Sequence, residues 1–155
     1  MDAPRDERGF LLPAAVRGLF DRAVAHWNAG RYFEAHEDWE TIWIDAEGAR
    51  REWLQGLIQF AAAFTHYGRG GASGFGKLMR TAAEKARGYG GDTEGLDFAR
   101  LWAELQPWIA HGDRVAAGAD LARGAPEPIP TLRLLPGVVA APYPFAPEEG
   151  EEERA

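Results

Sequence analysis

The sequence contains no cysteine, which excludes disulfide bonds, thiolate metal sites, iron–sulfur clusters and a cysteine nucleophile. It also has no apolar run that approaches the roughly 20 residues needed to span a bilayer. Residues 1–8 carry charges of both signs, a pattern that is not typical of a signal or transit peptide. We therefore expect a cytoplasmic protein that does not associate with a membrane.

The chain has no excess of positive charge, since its net charge is -7. Five Glu and one Arg give -4 within residues 146–155, which leaves about -3 for the remainder. Nucleic-acid binders normally present a basic face, so nucleic acid is an unfavourable partner. Lys77, Arg80 and Arg87 do share one side of a predicted helix, but Glu84 lies within that stripe. A solvated helix face is the favoured interpretation, with RNA or phosphate binding as the weakest alternative.

The 155 residues are 46% hydrophobic, which suits one globular domain. Apolar residues recur with helical spacing, which predicts an all-α fold, a compact antiparallel bundle of about five helices. Seven of the ten prolines lie in residues 125–147, so this segment is predicted to be extended and to pack outside the bundle. We expect a helical domain over residues 10–124, this Pro-rich segment, and a disordered acidic tail over 148–155. The predicted helices cover about residues 13–28, 32–44, 50–67 and 73–87, and a fifth begins near Asp97.

The second predicted helix carries polar residues beside its apolar face. At 100° per residue, His36 lies next to Tyr32 and Trp43, and Glu40 follows one turn later. These positions predict that His36 and Glu40 are largely buried, with Glu37 at the boundary and Asp38 facing water. A buried glutamate needs a proton, a cation or several hydrogen bonds.

The third predicted helix has no charged residue from Trp53 to Gly68. Such a helix is buried on most sides. Gln55, Gln59 and His66 nevertheless form one narrow polar stripe along it. Because buried amides and imidazoles need partners, we expect this stripe to face His36 and Glu40.

Two interpretations of these stripes remain open. In one, His36, Glu40 and His66 bind a divalent metal such as zinc, and Glu37 is the general base of a hydrolytic reaction. The match to a zinc-protease helix is partial, because that signature needs His at position 40. In the other, the same residues form a hydrogen-bond network that fixes helix register, and buried polar groups usually have that role.

The remaining histidines are weaker candidates. His26 borders the apolar face of the first helix and is interpreted as a packing residue. His111 lies near a helix end on the polar side, where solvation or an interaction with the C-terminal helix dipole is expected.

Several segments resemble a bacterial and archaeal family known as domain of unknown function 309. The resemblance covers residues 13–135 and is most specific in Trp27–Trp43, with the sequence WNAGRYFEAHEDWETIW, and in QGLIQ at 55–59. Gly71 stands where the family often has Asn. The resemblance implies a compact helical domain to which no activity is assigned. It also implies that five polar residues cluster in this domain: His36, Glu37, Glu40, Gln59 and His66.

The leading hypothesis is thus a small metal-binding helical domain with hydrolytic chemistry. The rival hypothesis is a non-catalytic binding or scaffold domain, whose partner is another protein or a second copy of the chain. The sequence does not decide whether the protein is an enzyme.

Overall fold

The computed structural model describes residues 14–88 and 94–140, with side chains from Val16 onward. Within these ranges the chain forms five helices and no strand beyond one isolated bridge. The prediction of an all-α bundle of five helices is confirmed. The helices are α1 (Ala14–Asn28), α2 (Tyr32–Trp43), α3 (Gly48–Gly68), α4 (Ala72–Ala86) and α5 (Phe98–Ala116).

Local sequence signals set the helix ends. Gly30 and Gly70 adopt φ values of +80° and +77° in the turns after α1 and α3, a left-handed conformation that favours glycine. Asp97 caps α5, since its carboxylate accepts a hydrogen bond from the Arg100 backbone N–H at 3.2 Å. Pro107 lies inside α5 without ending it.

Each helix packs against the next one in the sequence. The contact between α4 and α5 is close because it uses glycine on both sides. A Cβ atom at Gly112 would lie 2.8 Å from the Cβ of Met79, and one at Gly76 would lie 3.0 Å from the Gly112 carbonyl oxygen. The two backbones therefore approach more closely than side chains at these positions would allow.

Helix α3 runs through the aromatic core, which explains why it carries no charge from Trp53 to its end at Gly68. Phe64 of α3 makes edge-to-face contacts with Trp27 of α1 and Trp108 of α5, at ring centroid distances of 5.5 and 5.1 Å. Such contacts add to the free energy gained by burying the rings. The largest fully buried side chains are Trp27, Trp39, Trp53, Trp108, Phe20, Phe60, Phe64, Phe75, Leu54, Leu57 and Met79.

The described part of the Pro-rich segment lies on the helices. The indole N–H of Trp27 donates to the Pro130 carbonyl at 2.7 Å, and Leu132 is buried. Leu134 forms the isolated antiparallel bridge with Leu96, just before α5. Residues 141–147 and the predicted acidic tail, 148–155, lie outside the described residues.

Across the described residues, the helices are too short or too polar to cross a bilayer.

Candidate binding surface on the second helix

His36 and Glu40 form a pair on the surface of α2. His36 Nε2 lies 3.1 Å from Glu40 Oε2, and the two side chains are 25% and 51% exposed. The prediction that Glu40 is buried is therefore wrong, and His36 is only half-buried. The reason is that α2 packs against both α1 and α3, which centres its buried face elsewhere. The buried residues of α2 are Ala35, Asp38, Trp39 and Ile42.

Asp38 faces the protein interior, so the prediction that it faces water is also wrong. It accepts two hydrogen bonds from the Arg22 guanidinium of α1, at 2.9 and 2.8 Å. His26 Nε2 lies 3.7 Å from the same carboxylate. Burial lowers the pKa of His26 below 6.5, although the negative charge of Asp38 opposes this shift. Asp38 thus ties α2 to α1.

The predicted stripe on α3 is divided between the interior and the surface. Gln55 and Gln59 are half-buried, and the buried Oε1 of Gln59 has no hydrogen-bond partner among the described residues. His66 is exposed, and its imidazole lies over the turn into α4. A Cβ atom would lie 3.0 Å from His66 Nδ1 at Gly71 and 2.5 Å from it at Gly74. The glycines of this turn therefore provide room for the His66 ring.

The described residues contain no group of three or more His, Cys, Asp or Glu positioned to hold a metal ion. His36 and Glu40 supply two potential ligands from adjacent turns of α2. Glu37 is exposed on the same helix. The ligand set of His36, Glu40 and His66, with Glu37 as the base, stays a prediction.

An aromatic ring contacts His36 of this pair, and a cation lies over that ring. The ring of Phe33 stacks on His36 at a centroid distance of 5.7 Å and an interplanar angle of 26°. The guanidinium carbon of Arg69, just after α3, lies 5.6 Å from the centroid of the Phe33 ring. Phe33 remains 43% exposed despite these neighbours.

The outer face of α2 carries a stripe that combines apolar and acidic residues. Its members occur at i, i+4, i+7 and i+11; the fourth is the C-cap residue of α2, which keeps helical backbone angles, so all four lie along one side, and all four are exposed. We name this surface the α2 stripe; it consists of Phe33, Glu37, Glu40 and Ile44.

Sequence reasoning singled out His36 and Glu40 and missed the stripe that Phe33 and Ile44 form with Glu37 and Glu40. Their spacing could have predicted that these residues share one side of the helix, but it could not have predicted that they are exposed. Among the described residues the exposed large hydrophobic side chains are Phe33, Ile44 (65% exposed) and Val139.

His111 is buried in the structure, so the prediction of a solvated side chain is wrong. Only 1% of His111 is exposed, and its Nε2 lies 2.7 Å from the Leu121 carbonyl oxygen. The chain folds back after α5 and brings the Leu121 carbonyl to His111. The helical pattern of α5 alone does not reveal this contact. His111 is therefore a structural residue.

Comparison with known proteins identifies one family. Residues 20–78, from the middle of α1 into α4, match the model described as Domain of unknown function (DUF309). This match confirms the resemblance. No curated protein matches the chain. The matched segment contains the α2 stripe, His36, Gln59 and His66, and the family description assigns them no activity.

Proposed function

We propose that this protein is a non-catalytic helical binding domain that uses the α2 stripe to bind a basic, amphipathic protein segment. The observation that carries the proposal is the exposure of Phe33 and Ile44 at opposite ends of the stripe. Isolated exposed hydrophobics are common, but two on one helix side with acidic residues between them suit a partner helix. Interface cores are enriched in aromatic residues and arginine, and Arg69 lies against Phe33.

Charge complementarity favours a basic partner. Glu37 and Glu40 lie between the two apolar side chains, and Asp45 and Glu47 are exposed just beyond Ile44. Phe33 and Ile44 are 11 residues apart, about 16 Å along the helix axis. A partner helix with two apolar residues at that separation, and Lys or Arg between them, would match the stripe.

The same arrangement disfavours a second copy of this chain as the partner. In an antiparallel pairing of two stripes, Phe33 would meet Ile44 of the other copy. Glu37 of each copy would then face Glu40 of the other, and like charges at an interface cost free energy. Sedimentation of the purified protein tests this directly, and a monomer is expected.

Selection of peptides from a random helical library tests the proposal. The wild-type protein is immobilised, and we expect the enriched peptides to carry Lys or Arg between two apolar residues. Replacement of Phe33 and Ile44 by Ser removes the apolar ends and should weaken the binding of these peptides at least roughly tenfold. Val139→Ser is the matched control, because Val139 is equally apolar, 80% exposed and outside the stripe.

A charge-reversal variant makes the selection more specific. With Glu37→Lys and Glu40→Lys, the library should yield acidic peptides instead of basic ones. Enrichment of acidic peptides on the wild-type protein, or equal weakening by Val139→Ser, would contradict the proposal.

Metal-dependent hydrolysis is the second candidate function. The 3.1 Å contact between His36 and Glu40 supports it, since His and Glu one turn apart form a workable ligand pair. Equilibrium dialysis against Zn²⁺ tests it with the wild type, His36→Ala and His66→Ala. One equivalent that is lost in both variants would support the predicted ligand set. Binding that survives His66→Ala would reject His66 as a ligand, and no binding to the wild type would reject the site.

A further inference from the structure

We propose that a groove between α4 and α5, which shares no residue with the α2 stripe, binds a small organic phosphate. The groove has a volume of about 490 Å³, within the range of roughly 300–1,000 Å³ typical of small-molecule sites. One wall is the first three turns of α4 and the other is the end of α5. The inference rests on the shape of the groove, its two cationic side chains and its apolar wall.

Small residues create the groove. Gly76 has no side chain, and a Cβ atom there would lie 3.2 Å from the Cβ of Ala116. The two helices are therefore in contact at this point, and the space opens beside it. Gly118, which follows α5, adds no side chain to the opposite wall.

The groove carries two cations in a protein of net charge -7. Lys77 and Arg80 both line it and both are exposed. The Lys77 ammonium makes no ion pair or hydrogen bond with any other residue that the structure describes. Among the described residues, Arg80 pairs with the Asp113 carboxylate at 3.6 Å, and both of these side chains are more than half exposed. Such a pair contributes little, so Arg80 can turn toward an anion.

The acidic residue of the groove lies at its far end. Glu84 follows Lys77 by seven residues, about 10 Å along α4. Ser73, one turn before Lys77, also lines the groove and offers a hydroxyl donor. Arg80 lies between Lys77 and Glu84, so negative charge is most favourable near Ser73 and Lys77 and least favourable near Glu84.

These donors fit a phosphate group attached to an organic body. Arginine and lysine side chains bind phosphate oxygens, and a hydroxyl adds a third donor. Val115 and Ala116 form an apolar wall against which a sugar or base could lie. The groove is too small to accept a folded domain, and one pair of cations is a poor match for the repeated phosphates of a nucleic acid.

Titration with AMP followed by NMR tests this inference on the full chain. We expect AMP to bind at millimolar or lower concentration and to shift the backbone amides of Gly76, Ala116 and Gly118. Lys77→Gln should weaken binding roughly tenfold, since it removes a charge-assisted contact. Arg87→Gln is the matched control, because Arg87 is an exposed cation directly after α4 that does not line the groove, and it should leave the affinity unchanged.

Further ligands separate this inference from its rivals. Adenosine should bind at least roughly tenfold more weakly than AMP. Equal binding of adenosine would overturn the role of the phosphate, and equal binding of inorganic phosphate would overturn the role of the organic body. Tighter binding of single-stranded RNA that depends on Arg87 would replace the inference with nucleic-acid binding. Absence of AMP binding would reject it, without bearing on the α2 stripe.

Discussion

Asn28 and Leu132, which are 104 residues apart in the sequence, pair through two hydrogen bonds. The Asn28 amide donates to the Leu132 carbonyl at 2.8 Å, and its Oδ1 accepts from the Leu132 N–H at 2.7 Å. One side chain thereby satisfies both backbone groups of a buried residue, as a neighbouring strand would. The end of α1 thus holds the C-terminal segment in place.

Replacement of Asn28 by Ala should lower the free energy of unfolding by about 1–3 kcal/mol, because both backbone groups of Leu132 lose their partner. Urea denaturation measures this change, and amide hydrogen exchange at Leu132 reports whether the segment detaches. Thr131→Ala is the control, since Thr131 is exposed. Unchanged protection of the Leu132 amide in Asn28→Ala would contradict the role of this pair.

Asp38→Asn should destabilise the protein by about 1–3 kcal/mol, since it removes the charge that accepts two hydrogen bonds from Arg22. The effect is expected in thermal or urea unfolding at neutral pH. Asp45→Asn serves as the control because Asp45 is exposed just after α2, and its effect should stay within about 0.5 kcal/mol. Equal stability of the two variants would mean that the buried pair contributes no net free energy.

The helices could be predicted closely from the sequence because their signals are local. Apolar spacing defined α2 as Tyr32–Ile44, against Tyr32–Trp43 in the structure. Helix α1 ends at Asn28 and α5 begins after Asp97, as expected. The lack of charge between Trp53 and Gly68 also indicated correctly that α3 is buried on most sides.

The candidate site could be predicted only in part, because burial depends on partners from other helices. The spacing correctly placed His36 and Glu40 one turn apart. It could not show that α1 presents Arg22 to α2, and that cation is what allows Asp38 to be buried. With Asp38 turned inward, Glu40 lies on the outer side of α2.

The burial of His26 predicts a pH dependence of stability. Burial lowers its pKa below 6.5 in the folded protein, so the unfolded chain binds a proton more readily. The contribution of His26 to stability is therefore complete above pH 6.5 and is lost as the pH falls below that value. His26→Gln should reduce the slope of stability against pH in this range, as measured by urea unfolding at several pH values.

An NMR titration of His26 gives a second readout. Since the Asp38 carboxylate opposes the downward shift, Asp38→Asn should lower the pKa of His26 further. A rise of that pKa in the variant would contradict the proximity of the two side chains.

Two glycine substitutions should have opposite effects on stability. In Gly112→Ala the new Cβ would lie 2.8 Å from the Cβ and Cγ of buried Met79, so α4 and α5 must separate, at a cost of about 1–3 kcal/mol. In Gly74→Ala the new Cβ would meet the imidazole of His66, which is exposed and can rotate away. Alanine is also the better helix former, by up to about 1 kcal/mol.

Thermal unfolding compares the two variants directly. Gly74→Ala should be as stable as the wild type or more so, and the NMR signals of the His66 ring should shift. A large loss of stability in Gly74→Ala would instead show that the packed position of His66 is required for the fold.

Tyr67 connects the end of α3 to the Pro-rich segment, and its hydroxyl donates to Glu127 Oε1 at 2.6 Å. Burial, this hydrogen bond and the negative charge of Glu127 raise the pKa of Tyr67 to about 12. In the unfolded chain the phenol ionises near pH 10, so stability should be lost as the pH rises from about 10 to 12. Tyr67→Phe should remove this loss, because phenylalanine has no proton to release.

Glu127→Gln should lower the pKa of Tyr67 but leave that of Tyr32 unchanged, since burial alone raises the pKa of Tyr32. Site-resolved NMR titration of both tyrosines measures the difference, and equal shifts at Tyr67 and Tyr32 would show that Glu127 does not act through this contact.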